Sequence, residues 1–339
     1  MNDTVMLANG RPMPLVGFGC AGQLGRVPLG NALSAGYKLF DTSQATEWYL
    51  EAELGEALRA SSVPRSELFL TTKLHPKDLG EASTLKAFPM SLQRLGTDYV
   101  DAFLLHYPRC FGNLCPNGEP SGTWRESWRA LEALYERGQA RAIGVSNFSP
   151  DELRELLGMA RVQPHLVQSW MDPLYQARQL RAVCSAHGVT FQAYSTLGTQ
   201  WAGRGIRLNP VLKHPVLAQI GRELGRHPAQ VALRWAIQRG AAVIPRSTKP
   251  KNMRSNLQVF DFSLTDQQMA DIDALDGTDP KAVHAPPPPP RTCNDESDAC
   301  GAWADAGECD ANPGYMHKAC GASCNTCPTV GGGALSTEL

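Results

Sequence analysis

The sequence predicts an α/β protein: a (β/α)8 TIM barrel followed by a small C-terminal disulfide-rich module. The chain has 339 residues, too many for one average domain but suitable for one barrel with an attachment. Short apolar runs alternate with helical patterns over the first 280 residues, and six of the ten cysteines fall between Cys293 and Cys327. Because 42% of the residues are hydrophobic, the chain can bury a large core.

Eight apolar runs, each ending in polar or glycine-rich turn residues, are the predicted barrel strands. Helical patterns lie between them. Ser149, Pro150 and Glu152 form the capped start of one helix, and Thr265 caps a later one. This alternation of strand and helix is typical of a (β/α)8 barrel. The predicted strands are 15–19, 38–43, 68–73, 100–106, 140–146, 166–172, 190–195 and 242–247.

A doubly wound sheet is the competing fold, because residues 17–22 read G-x-G-x-x-G. A single match to this pattern is weak evidence. The doubly wound fold also requires an acidic residue at the end of its second strand, and Asp41 belongs to a different pattern, described below. The barrel is therefore the favoured fold.

Composition divides the chain into a barrel (1–280), a proline-rich linker (281–292), a cysteine-rich module (293–327) and a flexible tail (328–339). The linker contains five consecutive prolines, which favour an extended polyproline II spacer. The formal net charge is −1 and no basic run occurs, so nucleic acid is not an expected partner. No stretch reaches the ~20 apolar residues of a transmembrane segment.

Polar side chains stand at the ends of seven predicted strands, where the chemistry of a barrel takes place. One such residue alone is more often a loop-facing polar group, but seven together are expected to converge on one pocket. They are Asp41, Lys73, His106, Ser146 with Asn147, Gln168, Tyr194 with Ser195, and Arg246 with Ser247.

These strand ends lie within segments that resemble the aldo-keto reductase family. The resemblance implies a barrel that binds an extended nicotinamide cofactor without a Rossmann fold and reduces aldehydes or ketones by hydride transfer. No metal site is expected. The matching segments occur in the family's order over about residues 5–277 and read FDTSQATEWYLEAELGEAL, FLTTKL, DAFLLHYP, AIGVSNF, LVQSW, FQAYSTLG and VIPRSTKPKNMRSN.

The family's catalytic group is Asp, Tyr, Lys and His, and Asp41, Lys73 and His106 match its motifs directly. A tyrosine hydroxyl, whose unperturbed pKa is about 10, would give its proton to the carbonyl oxygen as that oxygen is reduced. Lys73 is expected to lower the tyrosine pKa, and Asp41 is expected to hold Lys73 in position. His106 is expected to orient the carbonyl group.

The tyrosine itself departs from the family's spacing. The family places it five residues after the aspartate, where this chain has Thr46, whereas counting back from Gly55 reaches Trp48. The connection is therefore two residues longer than usual. We expect the insertion to bring Tyr49 into the proton-donor position. The alternative places Trp48 there, and an indole N–H is not a comparable acid.

Matches to the family imply the cofactor contacts. Three polar side chains would hold the carboxamide, one aromatic ring would stack on the nicotinamide, a loop would cover the pyrophosphate, and a last group would bind the 2′-phosphate and adenine. Arginine suits phosphate, so NADPH is favoured over NADH, although Asn252 stands where the family usually has a further arginine. The residues for the carboxamide are Ser146, Asn147 and Gln168, and the stacking ring is that of Tyr194. The loop over the pyrophosphate contains Ser195 and Leu197. The residues for the 2′-phosphate and adenine are Arg246, Ser247 and Asn256.

The expected substrate is a small aldehyde or ketone, and the candidate pocket walls are Cys20, Trp48, Tyr107 and Trp201. Cys20 stands near the position of a family tryptophan, so the pocket is expected to differ in shape. Cys110 and Cys115 lie in the loop after the fourth predicted strand. They are either bridged or free, and the sequence favours neither state.

Residues 293–327 read C-x6-C-x8-C-x10-C-x3-C-x2-C, and so short a segment needs cross-links to fold. Zinc is the rival interpretation, because Cys324 and Cys327 have metal-like spacing, but the other gaps are irregular. The segment resembles the ShKT module, with Trp303, Gly307 and Met316 in their usual places. This resemblance implies a role in adhesion, docking or localisation, and three disulfides: Cys293–Cys327, Cys300–Cys320 and Cys309–Cys324.

Two functional hypotheses follow. The first is an NADPH-dependent carbonyl reductase, expected to be monomeric, with the module as an accessory. The alternative is a catalytically impaired nicotinamide-nucleotide-binding redox sensor or scaffold whose module binds a protein partner. A module that forms a lid over the barrel is a third interpretation. The lack of a signal peptide indicates the cytoplasm, whereas three disulfides indicate an oxidising compartment, so the localisation stays open.

Overall fold

The computed structural model describes residues 3–116 and 118–281 of the protein. The chain divides into two units, residues 1–284 and 285–339, and the account below concerns the first. The predicted linker from residue 282 onward, the cysteine-rich module with its three predicted disulfides, and the tail all lie outside the described residues.

A β-hairpin covers the end of the barrel at which the parallel strands begin. Its strands, β1 (Thr4–Met6) and β2 (Pro12–Pro14), pair antiparallel and are not among the predicted strands, because three residues are too few for a clear alternation. Met13 is fully buried and belongs, with Leu7, to the apolar cluster that contains the interior residues Leu39 and Leu104. Apolar side chains therefore close this end of the barrel, and the polar strand ends lie at the opposite end.

Eight parallel strands form the barrel, and each pairs with its neighbour in the chain. A parallel bridge between Val16 and Val243 joins the two edges of the sheet and closes it. The predicted (β/α)8 barrel is therefore confirmed. The strands are β3 (Phe18–Gly19), β4 (Leu39–Asp41), β5 (Phe69–Leu74), β6 (Ala102–Leu105), β7 (Ile143–Ser146), β8 (Leu166–Trp170), β9 (Thr190–Tyr194) and β10 (Ala241–Val243).

Helices pack around the strands and cover their apolar outer faces. The two predicted helix starts are confirmed, since Ser149 and Thr265 each form a capping box with the residue three positions later. No helix in the described part of the chain is both long and apolar enough to cross a bilayer. The helices are α1 (Arg26–Ala35), α2 (Glu51–Ala60), α3 (Glu81–Leu95), α4 (Trp124–Glu136), α5 (Pro150–Met159), α6 (Arg178–Ala186), α7 (Gln200–Gly203), α8 (Pro215–Leu224), α9 (Pro228–Gln238), α10 (Pro250–Leu257) and α11 (Asp266–Asp273).

Glycine allows a very close approach between two of the barrel strands. A Cβ atom on Gly144 of β7 would lie 2.0 Å from the backbone oxygen of Leu166 in β8. Further along the same pair of strands, Ser146 is in register with Gln168. The close contact at Gly144 therefore helps to set the relative position of two residues that the sequence assigns to the functional site.

We expect Gly144→Ala to destabilise the barrel by about 2–3 kcal/mol, because neither strand backbone can move away without breaking its ladder. The thermal midpoint of the full chain, measured by circular dichroism, should fall by roughly 5–10 °C. Gly30→Ala is the matched control. A Cβ on Gly30, in α1, meets no atom within 4 Å, so this change should leave the midpoint unchanged or raise it. Equal midpoints for the two variants would contradict the steric argument.

Candidate active site

A cavity of about 560 Å³ opens at the carboxyl ends of the barrel strands. Side chains from several strand ends line it, so the polar residues that the sequence predicts to converge do lie together. The sequence-predicted residues that line the cavity are Asp41, Trp48, Tyr49, His106, Tyr107, Ser146, Asn147, Gln168, Tyr194, Ser195, Leu197 and Arg246.

A buried ion pair lies beneath the cavity. Lys73 Nζ in β5 donates to Asp41 Oδ1 at 2.6 Å and to the backbone oxygen of Thr42 at 2.9 Å. Lys73 and Asp41 are almost completely inaccessible to solvent. Burying two charges is unfavourable unless each finds close partners. Asp41 gains a further one, because Gln168 Nε2 donates to its Oδ2 at 2.7 Å. The pair is therefore fixed in position by two neighbouring groups, the carbonyl of Thr42 and the amide of Gln168.

The segment between β4 and α2 is the connection that the sequence predicts to be two residues longer than usual. Gln44 anchors it, since its Nε2 donates to Ser91 Oγ in α3 at 2.9 Å. The carbonyl oxygen of Ala45 accepts the backbone N–H groups of both Trp48 and Tyr49, which makes a tight turn just before α2. The turn presents both aromatic side chains to the cavity.

The two aromatic residues of this turn both lie near His106 but differ in their other neighbours. The ring of Tyr49 lies 5.9 Å from that of His106, and the ring of Trp48 lies 5.8 Å from it, centroid to centroid. The ammonium nitrogen of Lys73 lies 4.9 Å from the centroid of the Tyr49 ring, whereas the ring of Trp48 lies 6.2 Å from that of Tyr107. The buried ammonium thus faces Tyr49.

Burial raises the pKa of Tyr49 well above its ordinary value of 10, and the negative charge of Asp41 raises it further. The sequence leads to the expectation that Lys73 lowers this pKa, whereas the net direction is upward. Burial and the Asp41 carboxylate together outweigh the contribution of the Lys73 ammonium. The Tyr49 hydroxyl is consequently protonated at neutral pH.

His106 is a neutral hydrogen-bonding group at the cavity wall. Burial lowers its pKa well below the ordinary 6.5, and the positive charges of Lys73 and His75 act in the same direction. Its Nδ1 lies 3.0 Å from Ser43 Oγ. Its backbone oxygen accepts a hydrogen bond of 2.9 Å from Asn147 Nδ2. The imidazole is therefore held through Nδ1, the backbone of His106 is held by Asn147, and the ring carries no charge at neutral pH.

Amide groups at the ends of β7, β8 and β9 form a connected cluster. Asn147 has a left-handed backbone with φ of +61°, and its Oδ1 accepts the Tyr194 hydroxyl at 2.7 Å. Gln168 Nε2 donates to Asp41 Oδ2 and to Gln192 Oε1, both at 2.7 Å. Because these two bonds use both hydrogens of the Gln168 amide nitrogen, its oxygen remains as an acceptor. The cluster can therefore recognise a planar amide.

Another part of the cavity wall consists of the segment that follows β9, together with Arg246. The backbone oxygen of Leu197 accepts a 2.6 Å bond from Asn209 Nδ2, which holds this segment in place. Arg246 is exposed, and its guanidinium donates to the backbone oxygen of Ala21 at 3.1 Å. One cavity thus combines an amide-binding cluster with an accessible guanidinium. This combination suits a ligand that carries both a carboxamide and phosphate groups.

Cys20 and Trp201, the two other expected substrate walls, do not line this cavity. Cys20 is buried beside it, and the neighbouring Ala21 lines the wall instead. The indole of Trp201 donates to the buried Asp172 at 2.9 Å and packs edge-on against Trp170. Trp201 therefore braces the loop after β9 rather than contacting the cavity.

Two of the expected cofactor residues also lie away from the cavity lining. The Ser247 hydroxyl accepts the backbone N–H of Lys249 at 3.1 Å, at the start of α10. Asn256 is buried in α10, and the Tyr37 hydroxyl donates to the backbone oxygen of Met253, three residues earlier in that helix, at 3.1 Å. Neither Ser247 nor Asn256 is part of the cavity lining.

The loop after His106 contains a disulfide between Cys110 and Cys115, which settles the choice that the sequence leaves open. Phe111, within this small ring, is about half exposed and lines the cavity. Its ring packs against Tyr107 with centroids 4.7 Å apart. The disulfide therefore ties down a loop that carries two aromatic wall residues.

The residues of the site that escape the sequence analysis include Ser43, Gln192 and Phe111. Ser43 follows Asp41 by two residues, and Gln192 precedes Tyr194 by two, so strand periodicity places each on the same face as a predicted residue. This two-residue period is the sequence signal by which Ser43 and Gln192 could have been predicted. Phe111 has a weaker signal, an aromatic residue next to a cysteine close to a strand end.

Known proteins match both parts of the chain. A sequence model described as Aldo/keto reductase family matches residues 27–277, and one described as ShK domain-like matches residues 292–327. Both resemblances found in the sequence are thereby confirmed.

Individual relatives cover most of the first unit. The chain is 41% identical to an aldo-keto reductase of Mycolicibacterium vanbaalenii, over 80% of this chain and 92% of that protein. It is 38% identical to morphine 6-dehydrogenase of Pseudomonas putida, over 82% and 95% of the two chains. A solved Bombyx mori aldo-keto reductase in complex with NADP matches with a TM-score of 0.73 at 28% identity, over 81% and 92%.

We expect Cys110 and Cys115 to be resistant to alkylation in the full chain purified without reductant, because a disulfide does not react with iodoacetamide. Trypsin cleaves after Arg109 and Arg125 and releases both cysteines in one peptide. Mass spectrometry should show this peptide unalkylated, lighter by two hydrogens than its reduced form. After reduction, both cysteines should be labelled. A peptide fully labelled before reduction would contradict the disulfide.

Proposed function

Because the chain belongs to the aldo/keto reductase family and is an NAD(P)H-dependent oxidoreductase, we propose that it reduces aldehydes and ketones with NADPH and that Tyr49 donates the proton. One observation carries the assignment of Tyr49. The Lys73 ammonium, paired with Asp41, faces the ring of Tyr49 at 4.9 Å. An ammonium in this position stabilises the tyrosinate that forms when the hydroxyl gives up its proton.

The residues of the site fit a nicotinamide dinucleotide phosphate. Gln168 presents an amide oxygen as an acceptor, and Ser146 and Asn147 stand beside it, so a carboxamide finds complementary partners. The Arg246 guanidinium is accessible at the wall of the same cavity and suits a phosphate monoester. Tyr194 is half buried and offers a ring for stacking. When bound, the reduced nicotinamide supplies a hydride to the carbonyl carbon.

The side chains of this barrel divide the remaining chemistry between them. His106, neutral and hydrogen-bonded, orients the carbonyl oxygen of the substrate. Tyr49 gives its hydroxyl proton to that oxygen as negative charge develops on it. Lys73 offsets the charge left on the Tyr49 oxygen, and Asp41 holds Lys73 in place at 2.6 Å. Tyr49 carries its proton at neutral pH, and the Lys73 ammonium that faces its ring favours the release of that proton.

Aromatic rings shape the substrate side of the cavity. Trp48, Tyr107 and Phe111 all line it. Among the described residues of the same loop, the one cation is Arg109, and it is paired with Glu152. We therefore expect uncharged aromatic or apolar carbonyl compounds as substrates, in preference to anionic ones.

We expect Tyr49→Phe to lower kcat for reduction of nitrobenzaldehyde roughly 100- to 10,000-fold, because the mutant lacks the proton donor. NADPH affinity, measured by fluorescence, should stay within about twofold, since the hydroxyl is the only atom removed. Single-turnover oxidation of bound NADPH gives the rate directly.

Trp48→Phe is the matched control in the same turn. It removes the other candidate residue for the donor position and should keep kcat within about threefold of the wild type. Activity lost in the Trp48 variant but retained in the Tyr49 variant would overturn the assignment of the proton donor.

We expect Arg246→Gln to raise the Kd of NADPH about tenfold, a loss of ~1.4 kcal/mol, because a charge-assisted contact with the 2′-phosphate disappears. The Kd of NADH, which lacks this phosphate, should not change. Fluorescence titration of the full chain measures both constants. Lys251→Gln, at the start of α10, is the control and should have little effect on either constant. An equal loss for both cofactors would show that Arg246 does not read the 2′-phosphate.

A further inference from the structure

We propose that Ser43 is a positioning residue that holds His106 in the tautomer whose proton is on Nε2. This inference rests on the proposed carbonyl-reductase function. Ser43 Oγ lies 3.0 Å from Nδ1 of His106, and the two residues are 1% and 5% exposed. Water therefore has little access to the contact, and the two side chains satisfy each other.

The direction of this hydrogen bond follows from the other partner of Ser43. Its Oγ accepts the backbone N–H of Ala45 at 3.1 Å. The hydroxyl has one hydrogen to donate, and the Nδ1 of His106 is the acceptor that faces it in the described part of the chain. If Nδ1 carried the proton instead, Oγ would receive two donors and its own buried hydrogen would lack an acceptor. The arrangement that satisfies every group leaves Nδ1 unprotonated.

A neutral imidazole carries one proton, so it must lie on Nε2 when Nδ1 is an acceptor. His106 is neutral because burial lowers its pKa well below 6.5. Nε2 is on the opposite side of the ring from Ser43. It can therefore donate to a carbonyl oxygen in the cavity that His106 lines.

This tautomer separates the two roles at the carbonyl oxygen. A neutral imidazole with a proton on Nε2 gives a hydrogen bond but is a weak acid, so it orients the substrate without protonating it. The proton must then come from Tyr49. Ser43 also begins the turn that carries Tyr49, because its bond to Ala45 lies in that turn. One buried hydroxyl thus fixes the geometry of both groups that act on the substrate oxygen.

The test compares Ser43→Ala and Ser43→Thr in the full chain. Alanine removes the donor to Nδ1, whereas threonine keeps a hydroxyl on the same carbon. We expect kcat/KM for nitrobenzaldehyde to fall about 10- to 100-fold in the alanine variant and to recover to within about threefold in the threonine variant. The threonine variant also keeps the acceptor for Ala45, so it controls for the stability of the turn.

Heteronuclear NMR of labelled histidine reads the tautomer without any substrate or cofactor. The chain has eight histidines, and a His106→Gln variant identifies the signal of interest. The wild type and the threonine variant should show the proton on Nε2, and the alanine variant a mixture of tautomers.

Each outcome decides the question. A wild-type proton on Nδ1 overturns the proposal, and so does an alanine variant that loses activity with its tautomer unchanged, because Ser43 would then act through the turn alone. A wild type that reduces no carbonyl compound contradicts the proposed function instead. The tautomer measured by NMR does not depend on catalytic activity, so it tests the role of Ser43 even in that case.

Discussion

The buried ion pair between Lys73 and Asp41 is the interaction on which the rest of the site depends. Two charges removed from water are stable only when each finds close, well-directed partners. Asp41 meets this requirement with Lys73 and Gln168, and Lys73 adds the carbonyl oxygen of Thr42. The partners come from three different barrel strands or strand ends. The closed sheet is what brings them together, so the chemistry of the site is inseparable from the closure of the barrel.

The hydrogen bonds of this ion pair also fix the orientation of uncharged side chains. The carboxylate of Asp41 can only accept hydrogen bonds, so it determines which end of the Gln168 amide faces it. Gln168 in turn donates to Gln192 and keeps its oxygen free. The ion pair thereby sets the orientation of the Gln168 amide on β8, and Gln168 sets that of the Gln192 amide on β9. One hydrogen-bonded framework thus joins the ion pair to amide groups at the cavity.

The connection between β4 and α2 holds two aromatic rings at the cavity. Gln44 fastens the start of the segment to α3, and the turn at Ala45 carries Trp48 and Tyr49. The ring of Tyr49 then packs over the Lys73 ammonium. The following helix α2 begins with Glu51, whose carboxylate accepts from Thr72 on β5, so the end of the connection is tied to the barrel as well.

The sequence alone determined the barrel and most of its site, because alternating apolar strands and helices, with polar residues at seven of the eight predicted strand ends, allow few other arrangements. Asp41, Lys73, His106 and Gln168 could be found in this way. The tertiary structure alone decided which aromatic ring faces Lys73 and that Cys110 and Cys115 are joined. It also decided that the pKa of Tyr49 is raised. These properties depend on distances of a few ångströms and on exclusion of water, which residue order does not encode.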